Sequence, residues 1–153
     1  MIRQHGFTVF EAMVVMTIIG VFAAIAIPNF NTSIKKTKIR KTADLVAQAM
    51  GYAKSYALDK NATIYFSVQA SKLCLSRVSA SGCELRSDSM DSDVAASMKD
   101  TSGSTPANIS SFSLSGVYGT PTPKDVTATV SANGFSQSVN MNIIGLVTVG
   151  GLQ

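Results

Sequence analysis

Few side chains in this sequence are placed to do chemistry, and the one in the least hospitable surroundings is Glu11. It stands four residues into an apolar run, FTVFEAMVVMTIIGVFAAIAIPNF from Phe7 to Phe30, in which it is the only charge. Moving a carboxylate into hydrocarbon costs on the order of a few kcal/mol, so such a group implies a partner or a use. Two cysteines, Cys74 and Cys83, flank a short loop ending in SRVSASG; they could close it as a disulfide or remain as two buried thiols. Three aspartates, Asp88, Asp91 and Asp93, supply oxygens of the kind calcium takes, but without the spacing, glycine and closing Glu of an EF-hand. A solvated loop accounts for them better. The sole histidine, His5, and two cysteines cannot complete a tetrahedral metal site. There is no phosphate-cradling glycine loop in the sequence. We expect no metal, no cofactor and no enzymatic activity.

The elements that carry these residues follow from hydrophobic pattern. At about 1.5 Å per helical residue, the run from Phe7 to Phe30 reaches roughly 36 Å, enough to cross a bilayer. Pro28 closes it, yet helical period continues: Ile39, Thr42/Ala43, Val46, Ala49/Met50, Ala53 and Tyr56/Ala57 share one face. Lys41, Asp44, Lys54 and Lys60 fall largely off that face. The pattern predicts one helix from about Phe7 to Leu58, bent or locally unwound at a kink near Pro28. Its first half is apolar all round, and its second half is amphipathic. Gly20, Ala23 and Ala24 would let helices approach closely in a bundle.

Beyond Lys60 the sequence reads as β. Ala62–Val68, Lys72–Val78, Ile109–Val117, Asp125–Ser131, Phe135–Ile143 and Leu146–Val149 are strand candidates, and Asn133-Gly134 marks a hairpin turn. The polar stretch from Arg86 to Asn108 reads as a long surface loop. The fold class expected is α+β: a long N-terminal helix packed on a small antiparallel sheet of five or six strands.

The hexapeptide Gly6-Phe7-Thr8-Val9-Phe10-Glu11, with the membrane-length helix behind it, resembles the processing site of type IV prepilins and type II secretion pseudopilins. Val9 stands where Leu is commoner in that family. The resemblance implies that a prepilin peptidase cuts between Gly6 and Phe7 and methylates the new N-terminus at Phe7. Glu11 then takes the family's assembly role, pairing with the terminal amine of a neighbouring subunit. Four parts follow: a leader over 1–6, a transmembrane and filament-core helix over 7–30, its amphipathic half over 31–60, and a β-rich head over 61–153. Without the leader the chain has no histidine, which excludes Ser–His and Cys–His nucleophile pairs.

Two plainer readings compete. Ala24-Ile25-Ala26 fits a secretory signal cut after Ala26, and a simple single-pass anchor needs no processing at all. Neither explains Glu11. Charge raises a second tension. Arg3 precedes the span, while Lys35, Lys36, Lys38, Arg40 and Lys41 follow it, so charge counting alone would put the C-terminal part in the cytoplasm. The resemblance implies the reverse: a single-pass protein of the bacterial inner membrane with a periplasmic head, passing later to a filament tip.

Net charge is +4, but beyond Lys41 seven basic residues face eight acidic ones. The basicity is a membrane-proximal collar, which more often meets lipid phosphates than nucleic acid. The head's order, helix then early strands then a β-rich C-terminus, resembles the GspH/FimT group, and cysteines at mid-chain disfavour a major pilin. The group's Trp-containing stretch is missing. Its C-terminal Gly-Arg pair is replaced by Ile144-Gly145-Leu146-Val147-Thr148. In DNA-binding members, arginines near that place are thought to contact DNA; Leu146 and Thr148 cannot neutralise phosphates. Arg77, Arg86, Lys72 and Lys99 are the other cations that could form a patch. The expectation is a minor pilin that helps initiate or cap a type IV pilus, with a minor pseudopilin of a type II secretion system and a DNA-binding pilin as alternatives. Its implied partners are other pilins or pseudopilins through N-terminal helices, the prepilin peptidase, the inner-membrane assembly platform and membrane lipid.

Overall fold

The computed structural model describes residues 7–69 and 71–153. One helix, α1 (Val9–Lys60), opens the chain and is assigned without a break through Pro28. The chain divides into two compact units, one ending at Lys35 and the other covering Lys36–Gln153.

The N-terminal start of α1 is set by Thr8. Its hydroxyl accepts the Glu11 N–H at 3.2 Å, and its carbonyl accepts the Ala12 N–H at 3.2 Å. Thr8 is therefore the N-cap, and Thr8-Val9-Phe10-Glu11 has the Thr-x-x-Glu pattern of a capping box. Thr17, a hydroxyl inside the apolar run, donates back to the Met13 carbonyl at 2.8 Å, so its polarity is satisfied within the helix. Phe7, Phe10, Met16 and Phe22 are each about 70% exposed or more. No other part of the described chain covers them.

From Lys36 onward the fold is helix on sheet. The C-terminal part of α1 buries Ile39, Thr42, Ala43, Val46, Ala49, Met50, Ala53 and Ala57, the face that its period marks out. Against it lie two antiparallel sheets of five strands each. The first has the order β3-β2-β1-β6-β7, built from β1 (Ile64–Gln69), β2 (Lys72–Ser76), β3 (Arg86–Ser89), β6 (Ser111–Leu114) and β7 (Pro121–Thr122). The second has the order β10-β9-β8-β4-β5, built from β4 (Ala95–Asp100), β5 (Ala107–Ile109), β8 (Val126–Ala132), β9 (Phe135–Met141) and β10 (Val147–Leu152). The helix and both sheets share one apolar core, in which Ile64, Phe66, Leu73 and Leu75 of the first sheet meet Met98, Val130, Val139 and Met141 of the second. Phe66 and Phe112, cross-strand neighbours on β1 and β6, stack with ring centroids 5.0 Å apart.

Two local features match the pattern reading. Asn133 and Gly134 both take positive φ, 50° and 86°, and turn β8 directly into β9 with Ala132 opposite Phe135. That is the left-handed pair a two-residue hairpin needs. Gly116 sits where an added Cβ would collide with the Ala62 backbone, which fixes the loop after β6 against the end of α1.

One expectation is corrected. The stretch from Arg86 to Asn108 is not a surface loop: it holds β3, all of β4 and most of β5, and β4 lies inside the second sheet. With β7 at Pro121–Thr122 as well, the strand total among the described residues rises from five or six to ten, in two sheets. The buried apolar residues of this stretch are Met90, Val94 and Met98, spaced by four, so their burial leaves no alternating trace.

Candidate functional site

The sequence places its strongest chemical signal at the Gly6–Phe7 junction and Glu11. Gly6 lies outside the described residues. Phe7 precedes the capped helix and is 73% exposed. Glu11 lies in the first turn of α1, where a carboxylate is favoured by the helix dipole, and its backbone N–H is held by Thr8. Among the described residues no salt bridge reaches its carboxylate. Glu11 is thus held at the helix start through its backbone.

The basic collar is divided by the fold. Lys38 reaches the loop between β3 and β4, with its Nζ 3.1 Å from Asp91 and 2.8 Å from Asp93. Those two carboxylates raise the Lys38 pKa, Asp93 having the larger effect. Asp91 is lowered, chiefly by the Asp93 backbone N–H and then by Lys38. Lys36 sits 4.9 Å from the centre of the Phe135 ring, a cation–π contact. Lys35, Arg40 and Lys41 are exposed and enter no ion pair among the described residues. Lys36 and Lys38 are thus engaged by the head, whereas these three are not.

The same contacts explain the three aspartates. Asp91 and Asp93 serve Lys38, and Asp88 pairs with Arg86, its neighbour but one on β3, at 2.5 Å. Arg86 also lies over Tyr52 of α1, 5.4 Å from the ring centre. Sequence reasoning missed the Lys38 pairing, since Lys38 and Asp91 are 53 residues apart and no local pattern links them. Of the four scattered cations, Lys72 and Arg86 are on the first sheet, Arg77 follows β2 and Lys99 is on the second sheet, and Arg86 pairs with Asp88.

Cys74 and Cys83 are joined by a disulfide, with Cα atoms 4.6 Å apart. Cys74 is buried on β2, so the bridge pins the loop after that strand to the core. Ser76 finishes the same turn by accepting the N–H groups of Val78 and Ser79 at 3.0 and 3.1 Å.

Residues 1–27 match the Prokaryotic N-terminal methylation motif. The chain is 35% identical over 57 residues to fimbrial protein EcpC of Eikenella corrodens, covering 37% of each chain. Over 59 residues it is 36% identical to type II secretion system core protein G of Pectobacterium carotovorum subsp. carotovorum, covering 39% of this chain and 38% of that one. The chain thus spans about two fifths of the length of the curated relatives it matches. Its fold is similar to that of the type IV minor pilin FimU of Pseudomonas aeruginosa PAO1 in two crystal forms. One has a TM-score of 0.62 at 14% identity, covering 76% of this chain and 91% of FimU. The other has a TM-score of 0.59 at 18% identity, covering 73% and 92%.

Proposed function

We propose that this chain, pilin-like of the GspH/FimT kind in its N-terminal motif and fold, is a minor pilin that helps initiate or cap a type IV pilus. The observation that carries the reading is one conjunction. A methylation motif opens a helix whose large apolar side chains from Phe7 to Ile25 are exposed among the described residues, and a FimU-like head follows that helix. In this reading prepilin peptidase removes residues 1–6, and the new amine at Phe7 is methylated. The helix from Phe7 holds the subunit in the inner membrane, with the head in the periplasm, until the assembly platform extracts it.

Glu11 supplies the coupling. A carboxylate needs a cationic partner when it leaves water, and cleavage creates a cationic amine at Phe7 of every subunit. Pairing Glu11 with the amine of a neighbour sets register between adjacent subunits, while the apolar helices bury one another. The work of the chain is noncovalent assembly, and its partners are other pilins.

A second reading, a minor pseudopilin of a type II secretion system, is favoured by the likeness to secretion protein G. A strain lacking this gene separates the two. Loss or sharp reduction of surface pili and twitching supports the pilus subunit; normal pili with impaired exoprotein export supports the pseudopilin. Within either machine, Glu11→Ala is expected to leave cleavage intact and to lower incorporation into filaments at least about tenfold. Normal incorporation of that variant would remove the pairing role.

A further inference from the structure

The two sheets end in four edges, and three of them are guarded. Edge strand β3 carries Arg86 and Asp88, β5 has three residues, and β7 has two, one of them Pro121. Charge, shortness and proline are the usual means by which an edge avoids pairing with another chain. The fourth edge, β10, has none of these. It is six residues long, VTVGGL, and the stretch from Leu146 to Gln153 contains no charged residue and no proline.

Its backbone is turned outward. The Asn142 N–H donates to the Leu146 carbonyl at 3.1 Å, closing the β9–β10 hairpin. Alternation along an antiparallel ladder then directs the N–H and C=O of Val147 and Val149, opposite Met141 and Val139, away from β9. Beyond a bulge, Gln153 exchanges both hydrogen bonds with Ser136 at 2.9 and 3.0 Å, so Leu152 also turns outward. The core is open here as well. Val149, on the same face as the packed Val147, is 42% exposed, and the adjoining loop presents Ile143, Ile144 and Leu146 to solvent. At the bulge Gln137 donates to the Gly150 carbonyl at 2.9 Å, yet its buried Oε1 has no donor among the described residues. A buried acceptor left unpaired is unfavourable until a donor is brought to it.

We infer that β10 is a docking edge for an extended, uncharged, apolar strand of a different pilin-like subunit, which adds to the second sheet by β-augmentation. A row of outward N–H and C=O groups is matched only by another extended backbone, and the uncharged, apolar flanks choose the side chains. A second copy is the poorer fit. Its other edges are guarded, and β10 paired with β10 is an isologous contact that closes on itself and cannot continue a filament. The identity of the partner rests on the filament-subunit reading above.

The test uses the full-length chain in its own membrane. A photo-crosslinking benzoylphenylalanine replaces Val149, or Ser89 on the guarded β3 edge as a control. The probes are the other methylation-motif proteins of the same cell, tagged and co-expressed one at a time. The expected result is an adduct from position 149 to one of them, at least about tenfold stronger than from position 89 and mapped by mass spectrometry to an extended apolar segment. Val149→Lys should reduce co-purification of that protein by a similar factor without moving the unfolding midpoint. No adduct, an adduct only to a second copy, or equal adducts from both edges would overturn the inference. Loss of pili in the gene-deletion strain without the adduct removes only the edge; failure to find Phe7 as the new N-terminus removes the filament-subunit reading itself.

Discussion

The two units of this chain use the same residue types to opposite effect. Up to Lys35, large apolar side chains are exposed on every side of a helix held by its own backbone hydrogen bonds and its Thr8 cap. From Lys36 onward, side chains of the same kinds are sealed: Ile39, Val46, Met50, Phe66 and Leu73 have no accessible surface. The head carries its solvent-excluded partners within itself. The N-terminal helix must find its own in lipid or in other subunits, as a helix apolar all round requires. Substitutions should therefore register in different assays according to which unit they fall in.

The largest split is expected between two phenylalanines. Phe66→Ala removes a ring packed on Phe112 at the centre of the head and should destabilise it by about 3–5 kcal/mol. Phe22→Ala removes an exposed ring of the other unit, and should leave the head's unfolding midpoint in detergent unchanged. Equal losses from both would mean that the two units fold as one.

Next in size is the disulfide. Replacing Cys74 and Cys83 together by serine frees a nine-residue separation and should cost about 2–3 kcal/mol from chain entropy alone, with more from placing a hydroxyl at the buried Cys74 site. Chemical denaturation of oxidised, reduced and doubly substituted protein measures it. Insertion of the N-terminal helix into membrane should be the same in all three.

How far these regions could be read from sequence also differs. The N-terminal helix was legible, because a long apolar run is a local signal. The buried face of α1 was legible too, since Ile39 to Ala57 repeat with helical period. The Asn133-Gly134 turn carries its conformation in its residue types. What failed was the segment from Arg86 to Asn108. Strand β3, RSDS, is held by register with β2 and by an ion pair within itself, and β4 fully buries only Met98. Neither offers the alternation by which a strand is recognised. Their neighbours across the sheet make them strands: β2 for β3, and β5 and β8 for β4. The division of the collar was hidden for the same reason: Lys36 and Lys38 look like Lys35, Arg40 and Lys41 until Phe135, Asp91 and Asp93 are placed beside them.

The smallest effect is the one that most sharpens the boundary between the units. Lys38 lies just past it and ties α1 to the β3–β4 loop through Asp91 and Asp93. The lowered Asp91 pKa makes its contribution fully present above the ordinary carboxylate value and lost as pH falls through the lower folded one. The raised Lys38 pKa makes the amine's contribution fully present below the ordinary lysine value and lost only as pH rises through the higher folded one. The clamp is therefore intact across neutral pH and released in acid. Because all three groups meet solvent, Lys38→Met should lower the unfolding midpoint only slightly at neutral pH, as loss of an exposed ion pair does. The difference between variant and wild type should shrink in acid, as Asp91 takes up a proton. Raised salt should shrink it too, by screening. A difference that survives both acid and salt would show that Lys38 holds the loop by packing its aliphatic stem, with the charge incidental.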